Sequence, residues 1–209
     1  MLSAATEFRK NGFNDEDAAQ LGQIASMYQN VADEAISASD SAGFIISQMV
    51  AFGIEAENAT RIVDSINEVA NNFAVSSGQL GSTLKIVASS SSAMGNSMEE
   101  TLGLMVAIVE QTKNASKAAR GLNTIMANLA QVLDENSSNG AKITEIFEGL
   151  GLSMYDTNGQ LKSGYDLLTE LNSVWPKLDG NTQKYIATTI AGKQNCPFKV
   201  NCWEAFRVS

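Results

Sequence analysis

Between Ser76 and Leu133 the chain repeats one local phrase: a short polar cap, a compact amphipathic helix, then another cap. Ser76-Ser77-Gly78-Gln79, Ser97-Met98-Glu99-Glu100 and Asn114-Ala115-Ser116 each open a new segment. Ser and Asn oxygens at such positions accept hydrogen bonds from backbone N–H groups that a first helical turn leaves without partners. Glu100, three residues after Ser97, completes a capping box. Helices started and stopped this often cannot form a rod. They must fold back and bury their apolar faces on one another.

The apolar spacing agrees. Leu2 to Asn11 reads as the end of a helix stopped by Gly12, and Asn14 caps a second helix carrying Leu21, Ile24, Ala25 and Tyr28 on one face. A third runs from about Ser39 to Phe52 and ends at Gly53; a fourth, Glu57 to Phe73, places Ile62, Ile66, Val69 and Phe73 on one stripe. The helix begun at Ser76 carries Leu80, Leu84 and Val87, and is expected to fray in the serine run 89–92, where hydroxyls compete for backbone partners. Leu102 to Val109 is apolar nearly all round, so it is expected to be the central buried helix. Leu122, Ile125, Met126, Leu129 and Leu133 line the next one, with Met126 as core filler.

A polar break, 134–140, separates an expected first unit (1–135) from a smaller second one (141–192). The second holds a helix with Ile143, Ile146, Phe147 and Leu150, and helices near 163–175 and 181–191, the former ended by Pro176. Between them, residues 154–161 predict a small β-hairpin, because Asn158-Gly159 suits the positive φ of a tight turn. The fold class is therefore all-α: a bundle of short amphipathic helices with one hairpin.

Composition narrows the function. The chain of 209 residues carries a net charge of −9, and its 14 Lys and Arg are scattered, which argues against a nucleic-acid surface. No apolar run is long enough for a membrane span. No basic-then-apolar leader opens the sequence, which predicts no secretory signal. There is no histidine, which removes the commonest general base and zinc ligand. Cys196 and Cys202 are the only cysteines. Two thiols cannot close a structural zinc site, and a disulfide between them would close a trivial loop, so they read as free thiols.

Each candidate site has a plainer reading beside it. Asp15, Glu16 and Asp17 invite reading as a metal or acid/base cluster, but adjacent carboxylates on a first turn diverge and complement the helix dipole. Asp156-Thr157-Asn158-Gly159 resembles the start of a calcium loop, yet the acid such a loop needs at its twelfth position is Leu167. Gly149-Leu150-Gly151 lacks the strand, the Lys and the spacing of a phosphate loop. Asp64 with Glu68, and Glu145 with Glu148, share helix faces without a partner base, and read as solvated carboxylates. The sequence therefore assigns no catalytic, cofactor-binding or metal-binding residue and no cofactor.

The order of these phrases closely resembles the core region of tailed-phage tape-measure proteins, of the kind found in siphophages and prophages of Gram-positive bacteria. The phrases are Gly12-Phe13 through Tyr28-Gln29-Asn30-Val31-Ala32-Asp33; Ile45-Ile46-Ser47-Gln48-Met49; Ile62 through Ser77; Glu99 through Leu104; Arg120-Gly121-Leu122-Asn123; Tyr155 through Leu161; and Tyr185 through Gly192. The resemblance covers about residues 4 to 193. The resemblance implies a structural, non-enzymatic role in the tail: filling the tube lumen during assembly, setting tail length, and leaving before the DNA at ejection. It implies tail tube protein, tail-assembly chaperones and tail-tip proteins as partners, with self-association possible. It also implies residence in the virion tail and, during assembly, in the host bacterial cytoplasm. A helical interaction module of flagellin or chemoreceptor type is the alternative, but that needs long unbroken heptads, and Gly12, Gly53, Gly95 and Gly140 are read as interruptions. A tail-associated cell-wall hydrolase would need a catalytic carboxylate in a cleft.

The pattern stops at Gly192. Residues 193–209 hold both cysteines, one of the two prolines and one of the two tryptophans. That jump in composition predicts a truncated or shifted reading frame, with residues 193–209 poorly packed and dispensable.

Overall fold

The computed structural model describes residues 2–32 and 35–192. The expectations for 193–209, including Cys196, Cys202 and Trp203, lie outside the described residues. Ten α-helices follow one another among the described residues: α1 Leu2–Lys10, α2 Asp15–Val31, α3 Ala38–Phe52, α4 Thr60–Asn72, α5 Ser77–Ala93, α6 Met98–Thr112, α7 Ala115–Ala130, α8 Ser138–Gly149, α9 Gly164–Val174 and α10 Gly180–Ala191. Short 3-10 turns sit at Ala56–Asn58, Gln131–Leu133 and Trp175–Lys177. The longest helices have 17 residues, too few for the sustained heptads of a coiled-coil rod.

The caps are those the sequence specifies. Asn14 accepts from the Asp17 N–H, Ser97 and Glu100 form a reciprocal capping box, and Asn114 accepts from the Lys117 N–H. Ser76 accepts from the Gln79 N–H at 3.1 Å, while the Gln79 side chain accepts from the Ser76 N–H at 3.3 Å. Gly53 ends α3 in the left-handed region (φ 63°), which glycine enters without penalty.

The chain divides into two compact units, residues 1–88 and 89–209. In the first, α1, α2 and α3 pack on one another and α4 packs on α2. Phe8, Leu21, Phe44, Ile45, Ile62 and Ile66 are fully buried. Burying such a side chain contributes about 1.5–3 kcal/mol relative to leaving it exposed. Tyr28 stacks on Phe44 with centroids 4.5 Å apart, and the Ser41 hydroxyl donates to the Ala25 carbonyl, a buried tie from α3 to α2. A Cβ at Gly81 would fall 1.8 Å from the Tyr28 hydroxyl oxygen, so any larger residue there requires the tyrosine side chain to shift.

In the second unit α6 packs on α7 and α9, and α10 packs on α7 and α8. Leu102, Leu104, Met105, Val106, Ala107, Ile108 and Val109 are all buried, as the all-round apolar reading of this helix requires. The Asn128 side chain donates to the Ile190 carbonyl at 2.8 Å and fastens α7 to α10.

The structure departs from the sequence reading in four places. The expected hairpin at 154–161 is absent. Only an isolated antiparallel bridge joins Tyr155 to Leu161. The Asp156 carboxylate takes the backbone N–H groups of Asn158 and Gln160, both at 2.8 Å, and curls the segment into an Asx-type loop. Among the described residues no neighbouring strand extends the ladder, and a lone pair of short strands is marginal in water. Second, the serine run does not fray: α5 stays helical to Ala93, and Ser91 is fully buried and hydrogen-bonded. Third, Gly140 does not interrupt a helix; it lies within the first turn of α8, and a side chain there would collide with the preceding turn. Fourth, the expected helix Glu57 to Phe73 divides into the 3-10 turn and α4.

The division between the two units falls within α5, between Ala88 and Ser89. The polar break 134–140 is a tight corner inside the second unit. The Ser137 hydroxyl donates to the Gln131 side chain at 3.0 Å and caps α8 by accepting from the Gly140 N–H.

Candidate functional site

Each carboxylate that invited a functional reading has a local structural role or faces solvent. Asp15 pairs with Arg9 at 2.9 Å, and Asp17 accepts from the Asn14 side-chain amide at 2.8 Å. Asp64, Glu68, Glu145 and Glu148 are exposed. Among the described residues no group of three or more Asp, Glu, Cys or His side chains could hold a metal ion.

The Asp156 loop has the geometry of an Asx-type turn. Its carboxylate is held below the ordinary aspartate range, first by the hydrogen bond from the Gln160 backbone N–H and then by those from Asn158 and Gly159. Asp179, the cap of α10, is lowered in the same way. The Thr182 hydroxyl donates to it first, followed by the Thr182 and Asn181 backbone N–H groups. Both shifts express capping chemistry: local donors favour the ionised carboxylate.

Two open grooves flank α8. One lies against α10, with Ile146, Leu150 and Ile186 as its apolar part and Glu145, Thr182 and Tyr185 at its edge; its volume is about 290 Å³. The other, of about 340 Å³, lies between Thr144 and Glu148 of α8 and the segment 151–155. These volumes sit near the lower end of small-molecule sites. Glu145 and Glu148 line different grooves, so the structure separates the pair that helical spacing grouped. Neither groove lining includes a Ser, Lys or Cys nucleophile paired with a base.

The most organised polar feature is internal, and the sequence reading missed it. Ser91 and Thr101 share a hydrogen bond of 2.7 Å between their hydroxyls. The Asn96 side-chain amide donates to Ser91 Oγ at 2.8 Å and to Met126 Sδ at 3.3 Å. Its oxygen accepts from the Tyr165 N–H at 2.8 Å, while the Gly164 N–H donates to the Met94 carbonyl at 3.0 Å. This cluster joins the end of α5, the 94–97 turn, α6, α7 and the start of α9. Its polar atoms are mutually satisfied, so it specifies packing and offers nothing to a substrate. In sequence Asn96 reads only as the residue after a turn glycine, and no spacing signal links it to Tyr165.

Among the described residues, no helix is long and apolar enough to cross a membrane. No solved structure matches the chain. The model of the phage-related minor tail protein family matches residues 1–192, nearly the whole length. The match covers far more than half of the chain, and the chain is therefore a member of the phage-related minor tail protein family.

Proposed function

We propose that this chain is the core segment of a tape-measure protein: a structural, non-enzymatic element that occupies the tail tube during assembly, takes part in setting tail length, and leaves ahead of the DNA. The observation that carries this reading is the family match over residues 1–192. The ordered phrases from Gly12 to Gly192 that resemble tape-measure cores narrow it from tail protein to tape measure. The partners follow from the role: tail tube subunits along the segment, tail-assembly chaperones before the tube closes, and tail-tip proteins at the end. The protein passes through the host bacterial cytoplasm during assembly and resides in the virion tail afterwards.

The test is to purify tails from the phage or prophage that encodes the chain and map their peptides by mass spectrometry. Peptides from residues 1–192 should be present in assembled tails and lost from particles that have ejected their DNA. Their absence from assembled tails would overturn the proposal. Incubation of the purified chain with cell walls should release no soluble fragments, and it should not retard DNA at physiological salt.

A further inference from the structure

We infer that Asn158 is a site of spontaneous deamidation, ahead of the two other Asn-Gly pairs, Asn11-Gly12 and Asn139-Gly140. The reaction needs three things: a side-chain amide free to turn onto the next residue, a following backbone nitrogen without a crowding side chain, and access for water. In the first step the Gly159 N–H gives up its proton to solvent base, and its nitrogen attacks Cγ of Asn158. The new N–Cγ bond forms as the Cγ–Nδ2 bond breaks, and Nδ2 leaves as ammonia after taking up a proton. Water then adds to one of the two carbonyl carbons of the five-membered imide. Ring opening returns a proton to the glycine nitrogen and leaves aspartate or iso-aspartate. The sum is asparagine plus water giving the acid plus ammonia, with no redox change.

Only the 158–159 pair meets all three conditions; Asn11-Gly12 is equally exposed and open at its glycine and fails on its held amide alone. Asn158 is exposed, and its amide group has a single hydrogen bond, at 3.5 Å to Asp156. Nothing lies within 4 Å of the place a Gly159 Cβ would occupy, so ring closure meets no neighbour. The bond to be surrendered is one from the Gly159 N–H to the Asp156 carbonyl, at 3.1 Å. By contrast, the Asn11 amide donates to the Glu7 carbonyl at 2.9 Å, while the Gly12 N–H donates to Arg9. Asn139 lies in the first turn of α8; the Gly140 N–H donates to the Ser137 hydroxyl, and Gly140 packs against the Gln131 backbone. The product adds a carboxylate beside Asp156, and in the iso form an extra backbone atom, inside a loop closed by the Tyr155–Leu161 bridge.

The test is prolonged incubation of the full chain in mildly alkaline buffer, followed by peptide mapping that separates asparagine, aspartate and iso-aspartate. The peptide holding Asn158 should convert in majority, mostly to iso-aspartate, while those holding Asn11 and Asn139 stay largely intact. Unfolding in denaturant before incubation should bring the three rates together, and the N158Q variant should abolish the fast component. Equal conversion at the three sites in the folded chain, or faster conversion at Asn11 or Asn139, would overturn the inference. So would an intact Asn158 after the denatured chain has converted fully.

Discussion

A Cβ placed on Gly140 would lie 2.2 Å from the carbonyl oxygen of Gln131 and 2.7 Å from its carbonyl carbon. Both are main-chain atoms of the preceding turn, so they cannot rotate away as a side chain would. Alanine favours a helix over glycine by about 1 kcal/mol, which alone would predict stabilisation. Overpacking of this kind costs about 1–3 kcal/mol, occasionally more, and a collision with backbone belongs at the upper end. G140A should therefore lower stability by about 2 kcal/mol net in chemical denaturation. An unchanged or higher midpoint would show that the corner between α7 and α8 is looser than described.

The second prediction concerns α6. Leu104 is 1% exposed and sits among six other buried residues between Leu102 and Val109. Truncation to alanine should cost about 2–5 kcal/mol through lost burial and the cavity left behind. A denaturation shift below about 1 kcal/mol would contradict its place in the core.

The third concerns the internal polar cluster. N96A removes the acceptor for the Tyr165 N–H and the donor to Ser91. Buried groups left without partners cost about 1–3 kcal/mol each, so the variant should be destabilised and α9 should open. Hydrogen exchange should rise at the amides of 164–168 more than within α2 or α3. Uniform protection across α9 in the variant would show that the cluster does not hold that helix.

How much of this was legible in the sequence depends on the range of the interaction. Asn14, Gly53, Ser97 with Glu100, and Asn114 were readable because a cap is decided within three or four residues. The buried face of α6 was readable because its composition leaves no polar side. Gly140 and Ser91 were misread because their partners, Gln131 and Thr101, lie across a corner and on another helix. The hairpin failed for a related reason. Asn158-Gly159 is a fair turn signal, but Asp156 competes for the same N–H groups and no adjoining strand rewards a ladder. The grooves beside α8 depend on how α10 and the 151–155 segment lie against it, and no local pattern encodes that.

The fourth prediction concerns acid. Asp156 and Asp179 have folded pKa values below those of the unfolded chain, because local donors favour the ionised form. A depressed carboxylate contributes stability above its unfolded pKa, about 3.9, and loses it as pH falls through the folded value. Stability from these groups should thus be flat from neutrality down to about pH 5 and decline below about pH 4. Carbon-detected NMR titration should place both carboxyls below the ordinary aspartate value of about 3.9. The D156N variant should flatten part of the acid decline. Midpoints at or above about 3.9 would refute the assigned hydrogen bonds.

The last prediction concerns length. A continuous helix advances about 1.5 Å per residue, so α4, with 13 residues, would correspond to roughly 20 Å of an extended helical ruler. The chain instead forms two compact units, and a domain of about 90–100 residues has a radius of gyration of only about 12–13 Å. On the proposed tape-measure role, a folded node of this kind is expected to contribute little length per residue. Its helices are held by cores such as Ile62 and Ile66, which α4 supplies to the first unit. In-frame removal of residues 60–72 from an intact parent gene is therefore expected to leave tail length nearly unchanged, or to block assembly by unfolding the unit. Electron micrographs of tails from the deletion and its parent supply the measurement. Normal tails shortened in full proportion, by about 20 Å, would show that this region is paid out as an extended ruler and that its compact form does not persist in the tube.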